Sequence, residues 1–218
     1  MHTFKVRNQS PWIVDLYNQY FANKKDGFLV EIGVGHTLDG VDNIKDGTLE
    51  NLKNLSRCGS NTADLLDLGW SGIYIEPVKE YCEEAKISHA SNLDRLKIIN
   101  LGASDTSDKI KMFLGDSFVP NDYANRGYAW IGRDVEVKPT SKILSDNNCP
   151  KDIDVMSIDV EGFEDKVIKG IDFNLHNPTM LIVEINIISQ DEIQDLLPEG
   201  YTLIKSDGLN AVWVKTEK

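Results

Sequence analysis

The most constraining feature of the sequence is a short apolar run, Phe28–Ile32, that contains one acid and breaks directly into the glycine turn Gly33-Val34-Gly35. A continuous, partly β-branched run of this length is typical of a strand covered on both faces, as in parallel sheets. Ligands of open α/β sheets bind at the carboxyl ends of such strands. The turn is therefore a candidate ligand site, although a tight strand exit would also explain a lone pair of glycines.

The same pattern recurs along the chain, with helical segments between the apolar runs. We predict second and third strands in GIYIEP and LKIINLGASD, a fourth in DIDVMSIDVEG and a fifth in TMLIVEI. Helices are predicted over 11–24 with Ser10 as N-cap and Pro11 at its first position, in SNTADLLDLG with Ser60 or Asn61 as N-cap, over 78–90, in FEDKVIKGI, and in DEIQDLL with Ser189 as N-cap. This alternation predicts an α/β fold with a parallel, doubly wound sheet.

Two stretches depart from the alternation of strand and helix. The segment 108–140 contains DKIKMFLG and DVEVKPT, which alternate like antiparallel strands and predict an excursion from the main sheet. The tail YTLIKSDGLNAVWV predicts an antiparallel hairpin that turns at Asp207-Gly208. Because no linker or repeat interrupts the 218 residues, we expect a single domain over 1–218, with a leading helix at about 11–24 and an inserted loop at about 36–59.

Charge and composition disfavour several classes of protein. The formal net charge is −12 and no basic stripe offsets it, so a nucleic-acid partner is not expected. The longest apolar run, MLIVEINII, is interrupted by polar residues and the chain does not open on a signal peptide, so we expect a cytoplasmic protein without a membrane partner. The three cysteines, Cys58, Cys82 and Cys149, share no CxxC spacing and are interpreted as small buried thiols in a reducing compartment.

The glycine turn does not match a dinucleotide site. Leu38 stands where the third small residue of G-x-G-x-x-G belongs, which disfavours an NAD-dependent enzyme. The acid that follows the second strand, Glu76, is instead placed to accept both hydroxyls of a ribose. If the polar stretch 36–59 is left out, the separation of Glu31 and Glu76 agrees with the usual spacing of about 20 residues.

Five blocks of the chain resemble the FkbM family of S-adenosylmethionine-dependent methyltransferases, in the same order and in similar strand context. They are EIGVG, SNTADLLDLGWSGIYIEP, GASD, SIDVEGFEDKVIKGI and LIVEI, of which "N…LGW.G…IEP" and "IDVEG.E…KG" are the specific ones. The resemblance implies a class I methyltransferase fold, which is a Rossmann-like, doubly wound, seven-stranded sheet, mostly parallel with an antiparallel C-terminal hairpin strand. It also implies methyl transfer, usually to a hydroxyl oxygen, on substrates that include sugars and macrolide-like natural products.

The resemblance further implies which residues contact S-adenosylmethionine. Glu31 and the glycines would face the methionine and ribose portion, Glu76 would hold the ribose hydroxyls, and the end of the third strand would border the adenine. The implied cofactor-binding residues are Glu31, Gly33, Gly35, Glu76, Pro77, Ala103, Ser104, Asp105 and Asp159. The chain departs from the family pattern at His36 and Thr37, which makes the segment 36–59 the expected lid or substrate determinant.

Carboxylates after the fourth strand are candidates for the chemistry. Side chains alternate along a strand, so Asp159 and Glu161 are expected on the same side of the cleft, where like charges raise one pKa. We predict Glu161 as general base and Asp159 as the orienting group. Glu164 is more simply explained as a first-turn acid interacting with the helix dipole.

Alternatively, Asp159, Glu184 and Asn186 would bind Mg²⁺ or Ca²⁺, which would acidify the acceptor hydroxyl. The sequence does not choose between this metal site and the general base. Substrate contacts are predicted for His36 and, by stacking on sugar rings, for Tyr128 and Trp130.

These patterns together predict an S-adenosylmethionine-dependent O-methyltransferase that acts on a hydroxyl of a sugar, glycan or other small metabolite. The turn SIDVEG replaces the Asn-Pro-Pro-Tyr type of turn that cradles amino-group acceptors, which favours oxygen over nitrogen. The alternative is a catalytically inactive scaffold or partner subunit that binds S-adenosylmethionine. The full set of acids at 159, 161 and 164 argues against a scaffold, which would not need them.

Overall fold

The apolar runs of the sequence form the strands of a mixed α/β fold. The computed structural model describes residues 12–22, 24–35, 60–114, 119–120 and 131–216. Its strands are β1 (Phe28–Ile32), β2 (Ser71–Ile75), β3 (Leu96–Ile99), β4 (Gly102–Ser104), β5 (Asp108–Leu114), β6 (Val119–Pro120), β7 (Ile131–Pro139), β8 (Asp152–Ile158), β9 (Asn177–Glu184), β10 (Tyr201–Ser206) and β11 (Asn210–Lys215). Its helices are α1 (Ile13–Phe21), α2 (Ala63–Asp67), α3 (Lys79–Ser88), α4 (Thr140–Asp146), α5 (Glu164–Lys169) and α6 (Gln190–Leu196).

Seven strands form the main sheet, in the order β10-β11-β9-β8-β1-β2-β3. The pairs β1–β2, β2–β3, β1–β8 and β8–β9 are parallel, whereas β11 runs antiparallel to both β9 and β10. This confirms the predicted sheet and its C-terminal hairpin. The strand order reverses between β1 and β8, and the carboxyl ends of strands at such a switch point are where open α/β sheets bind ligands.

Both faces of the main sheet are buried. Side chains that alternate along β1 enter two separate apolar clusters, one with Leu29 and one with Val30. The Leu29 cluster includes residues of α1, α2 and α3, and the Val30 cluster includes residues of α4, α5 and α6. Helices therefore cover both faces, which explains why the central strands appear in the sequence as continuous apolar runs.

Helix boundaries are partly as predicted. Ser189 caps α6 in a capping box with Glu192, as expected. The leading helix begins at Ile13 with Trp12 as its N-cap, and the predicted start at Ser10 and Pro11 lies outside the described residues.

The prediction for the second helix was wrong about its N-cap. This helix, α2, begins after Thr62 rather than after Ser60 or Asn61. Ser60 nevertheless accepts a hydrogen bond from the backbone N–H of Ala63 at 3.0 Å, so it stabilises the helix start from two residues before the N-cap.

The predicted third strand is two strands in the structure. β3 ends at Ile99, the backbone N–H of Leu101 bonds back to the carbonyl of Ile99 at 3.1 Å, and the chain then leaves the main sheet. Residues Gly102–Ser104 instead pair with β7 in a second sheet of order β4-β7-β5-β6. The antiparallel pairing of β5 with β7 in that sheet confirms the predicted excursion.

The predicted C-terminal turn is also confirmed. Asp207 accepts hydrogen bonds from the backbone N–H groups of Leu209 and Asn210 at 3.0 and 2.9 Å, which closes the β10–β11 hairpin. No helix in the described part of the chain is both long enough and apolar enough to cross a membrane.

Candidate functional site

Polar residues gather where the central strands of the main sheet end. Glu76 follows β2, Asp159 follows β8, and Glu184 is the last residue of β9. Since β2 and β8 are parallel neighbours of β1, and β9 is the parallel neighbour of β8, their carboxyl ends lie at the same edge of the sheet as the glycine turn after Ile32. The register, which pairs Ile158 with Val183, places Asp159 and Glu184 side by side.

Glu76 is joined to the glycine turn. Its Oε2 accepts a hydrogen bond from the backbone N–H of Gly35 at 3.0 Å, and its Oε1 accepts one from Val78 at 2.8 Å. The side chain is almost fully buried, with 3% of its surface exposed. Burial raises the pKa of Glu76 to about 7, although these backbone donors oppose the shift. The expected proximity of Glu76 to the turn is thus present in the structure.

The two glycines of the turn serve different purposes. Gly33 has φ +83°, and a Cβ on it would lie 1.7 Å from the carbonyl oxygen of Asp159, so the close approach of two strand ends requires a glycine. Gly35 has φ +61°, and no described atom lies within 4 Å of the position of its Cβ. The tight strand exit therefore explains Gly33, whereas none of the described residues crowds Gly35.

The backbone N–H groups of the glycine turn are already hydrogen-bonded within the protein. Gly33 donates to the carbonyl of Ile75 at 3.0 Å, and Gly35 donates to Glu76. Among the described residues, the turn therefore offers a ligand the uncrowded side of Gly35 and the position of Glu76, rather than a row of free donors.

Glu31 is buried and holds the beginning of the second helical segment. Its Oε1 accepts from the backbone N–H of Asn61 at 2.9 Å, and its Oε2 accepts from the hydroxyls of Ser60 and Thr62 at 2.7 and 2.5 Å. Burial raises the pKa of Glu31, and these hydrogen bonds oppose the shift. In the structure, both carboxylate oxygens of Glu31 accept hydrogen bonds from residues 60–62. The contact of Glu31 with a cofactor stays a prediction. Sequence reasoning had interpreted Ser60 and Asn61 only as helix caps.

The prediction that Ala103, Ser104 and Asp105 end the third strand of the main sheet was wrong. Ala103 and Ser104 lie in β4 of the second sheet and are 8% and 3% exposed. The carboxyl end of β3 is instead followed by Asn100, whose amide donates to the carbonyls of Glu76 and Pro77 at 3.0 and 2.9 Å. The sequence signal that could have identified Asn100 is an asparagine directly after the apolar run of β3.

Asp159, Glu161 and Glu184 form an acid cluster. Each contributes one carboxylate oxygen to a set whose members all lie within 4.8 Å of one another. Burial, and then repulsion from Asp159 and from the nearby Glu164, raises the pKa of Glu161 to about 7. Burial also raises the pKa values of Asp159 and Glu184, and for Glu184 the charge of Asp159 adds to the shift. The structure therefore places the two predicted catalytic acids together.

The turn that carries Glu161 is held in an unusual backbone conformation. Glu161 has φ +55°, which is uncommon for any residue other than glycine and persists only where surrounding contacts enforce it. Glu164 supplies such contacts, since its Oε1 accepts from the backbone N–H groups of Val160 and Gly162 at 3.0 and 3.1 Å. Glu164 is fully buried in the first turn of α5, in agreement with its interpretation as a structural acid.

Asn186 lies beside the acid cluster. Its amide nitrogen donates to Oε1 of Glu184 at 2.9 Å, so it contacts Glu184 directly. The predicted set Asp159, Glu184 and Asn186 is thus partly brought together, and Glu161 joins it as a third carboxylate that the metal hypothesis had not included.

Several predicted residues lie outside the described part of the chain. These are Cys58, the segment 36–59 with His36, and the aromatic residues Tyr128 and Trp130. The other two cysteines are free; Cys82 is buried and Cys149 half-buried. Burial raises the pKa of each of these two thiols to about 12, so neither is a ready nucleophile.

Comparison with known proteins identifies related sequences and folds. A family model described as the methyltransferase FkbM domain matches residues 57–208, about 70% of the 218-residue chain. The crystal structure of methyltransferase FkbM from Methylobacillus flagellatus KT matches with a TM-score of 0.52 and 15% identity over 89% of this chain and 46% of that chain. A methyltransferase from Geobacter sulfurreducens matches with a TM-score of 0.47 and 11% identity over 94% of this chain and 77% of that chain. No curated protein sequence matches the chain.

The similarity to the Methylobacillus protein supports the fold alone, because structural similarity at 15% identity is evidence of architecture only. The chain spans less than half the length of that protein. The sequence match begins after the glycine turn and includes Glu76, Asp159, Glu161 and Glu184.

Proposed function

Because the chain belongs to the FkbM methyltransferase family, we propose that it is an S-adenosylmethionine-dependent O-methyltransferase acting on a hydroxyl of a sugar, glycan or other small metabolite. The family and the fold make methyl transfer the general activity. The observation that carries the proposal is the acid cluster of Asp159, Glu161 and Glu184, which shares one sheet edge with Glu76 and the open side of Gly35.

The residues at Glu76 fit the adenosyl part of the cofactor. Its carboxylate accepts backbone hydrogen bonds from Gly35, Val78 and Val34, and because two carboxylate oxygens have about four acceptor positions, acceptor capacity remains for a ribose hydroxyl. The space beside Gly35 lets a ligand approach the backbone closely. When bound, S-adenosylmethionine supplies a methyl group on a positively charged sulfur, and the surrounding carboxylates suit a cation.

The turn that carries the acid cluster lies directly against the glycine turn. The backbone N–H of Asp159 donates to the carbonyl of Ile32 at 2.9 Å, and its carbonyl oxygen lies against Gly33. These contacts attach the turn of the acid cluster to the glycine turn. An acceptor that contacts Glu161 would therefore lie close to a methyl donor held at Gly35 and Glu76, which is the alignment that group transfer requires.

Glu161 is the proposed proton acceptor. A hydroxyl that receives a methyl group must lose its proton, and a general base is most effective when its pKa lies near the operating pH. The pKa of Glu161 is raised to about 7, and its half-buried side chain is accessible to an acceptor. Asp159 raises the proton affinity of Glu161 by its charge and is the proposed orienting group. The net charge of −12 favours a neutral or cationic acceptor.

Two measurements test this proposal. Calorimetric titration with S-adenosylmethionine, S-adenosylhomocysteine and NAD should show binding of the first two and none of NAD. Transfer of a labelled methyl group should then occur to compounds in a panel of sugars and small alcohols, and more weakly to matched amino compounds. Binding of NAD alone would overturn the cofactor assignment. Cofactor binding without transfer to any acceptor would support the scaffold alternative instead.

A further inference from the structure

The three carboxylates of the acid cluster lie close together, and none of the described residues gives them a positive partner. In the described ranges, no lysine, arginine or histidine forms an ion pair with Asp159, Glu161 or Glu184. Three like charges this close, one on the buried Glu184 and two on half-buried side chains, do not all ionise at neutral pH unless a cation or protons compensate them. As far as the described residues go, the cluster therefore holds either protons or a positive ion.

A separate observation concerns one oxygen of Glu184. This side chain is 3% exposed, and its Oε1 accepts from Asn186. Its Oε2 is buried, and no described residue donates a hydrogen bond to it. Buried carboxylate oxygens are normally satisfied, and the neighbour available to Glu184 besides Asn186 is the carboxyl of Asp159. Two carboxylates can share a hydrogen bond only while one of them holds a proton, so deprotonation of the pair would leave a place for a cation between them.

The spacing of the carboxylate oxygens suits a hard divalent ion. Ca²⁺ lies about 2.3–2.6 Å from its oxygen ligands, so two ligands on opposite sides of the ion are separated by up to about 5 Å. The oxygens of Asp159, Glu161 and Glu184 all lie within 4.8 Å of one another. Mg²⁺ and Mn²⁺ take the same ligand chemistry at shorter distances and retain water molecules.

The three ligands also stand on positions that the fold holds rigidly. Asp159 and Glu184 are adjacent because of the β8–β9 register, and Asn186 fixes the orientation of Glu184 through its amide. Glu161 is fixed by the turn that Glu164 stabilises. Preformed ligands supported by a second layer of hydrogen bonds are characteristic of metal sites.

We infer that Asp159, Glu161 and Glu184 bind one divalent cation of the Mg²⁺, Mn²⁺ or Ca²⁺ type, with Asn186 positioning Glu184. The binding site stands on geometry alone, whereas its part in catalysis rests on the proposed function. A bound cation favours the ionised form of each carboxylate ligand, so the pKa of about 7 for Glu161 applies to the metal-free protein. The ion would lower the pKa of a hydroxyl that binds to it.

Direct binding to the full chain tests the site without cofactor or acceptor. After removal of metals with chelator, Mn²⁺ binding is followed by electron paramagnetic resonance and Ca²⁺ and Mg²⁺ binding by calorimetry, at pH 8. We expect one ion per chain, and at least tenfold weaker binding in Glu184→Gln. Asp146→Asn is the matched control, because it removes the same charge from an exposed position at the end of α4. Its affinity should equal that of the wild type.

Two results would overturn the proposed site. In the first, none of the three ions binds saturably at millimolar concentration. In the second, a folded Glu184→Gln variant binds the ion as tightly as the wild type. If Glu184→Gln does not give a native circular dichroism spectrum, Glu161→Gln provides the same test at a half-buried position. Methyl transfer is measured separately with and without chelator. Metal binding without transfer would contradict the proposed function alone, and transfer by a protein that binds no metal would contradict the site alone.

Discussion

The backbone N–H of Gly35 donates to Oε2 of Glu76 across 3.0 Å, although 41 residues separate them in the chain. This bond connects the turn after β1 to the end of β2 and fixes the carboxylate that we propose for the ribose hydroxyls. Because Val78 occupies the other oxygen, the carboxylate cannot rotate without losing a backbone hydrogen bond. The position of Glu76 is therefore set before any ligand binds.

The variant Glu76→Gln should bind S-adenosylmethionine at least about tenfold more weakly. The amide keeps the shape of the side chain but turns an NH₂ group toward one of two backbone donors, and a hydrogen bond to a charged group contributes about 1.5–3 kcal/mol. Calorimetric titration measures the change. Glu83→Gln, on the exposed side of α3, is the control and should bind like the wild type. Equal affinities of the two variants would contradict a role of Glu76 in the cofactor site.

The variant Glu161→Gln should lower kcat by roughly 10²–10⁴-fold, since it removes the proposed general base. Affinity for S-adenosylmethionine should stay within about twofold, as measured by calorimetry. In the wild type without bound metal, kcat should rise with pH through about 7, because the base must be deprotonated and the pKa of Glu161 lies there. A variant that keeps this pH profile would show that another group accepts the proton.

The two glycine positions should respond differently to alanine. Gly33→Ala brings a Cβ to 1.7 Å from a backbone oxygen at a positive φ, so we expect a loss of more than about 3 kcal/mol in the free energy of unfolding. Gly35→Ala meets no described atom and should cost about 1 kcal/mol for its positive φ, while it weakens cofactor binding. Urea unfolding followed by circular dichroism compares them, and similar losses for both would refute the distinction.

The stability of the metal-free protein should depend on the protonation of Glu161. Its pKa rises from 4.5 to about 7 on folding, so the folded state binds more protons over that range. This stabilisation is present below about pH 4.5 and is lost as the pH rises through about 7. Relative to the wild type, Glu161→Gln should therefore become more stable from pH 5 to pH 8 in the presence of chelator. Urea unfolding at each pH measures the difference, and a constant difference would contradict the prediction.

Local patterns in the sequence were sufficient for most of the fold. The buried strands were visible as continuous apolar runs because both faces of the sheet are covered, and the hairpin at Asp207-Gly208 and the capping box at Ser189 depend on residues close in sequence. The resemblance to the family likewise located Glu76, Asp159 and Glu161, since its specific blocks end at the carboxyl edge of strands. The order of strands then follows from the fold class.

Contacts between distant segments were decided only by the tertiary structure. The third strand divides at Leu101 because Gly102–Ser104 pair with β7, more than thirty residues later, and no local pattern records that partner. Glu31 accepts hydrogen bonds from residues 60–62. The backbone N–H groups of Gly33 and Gly35 donate to Ile75 and Glu76 and are not free for a ligand. Hydrophobic periodicity depends on neighbours along the chain and therefore determined the strands. Hydrogen-bond partners, burial and the resulting pKa values depend on segments that meet only after folding.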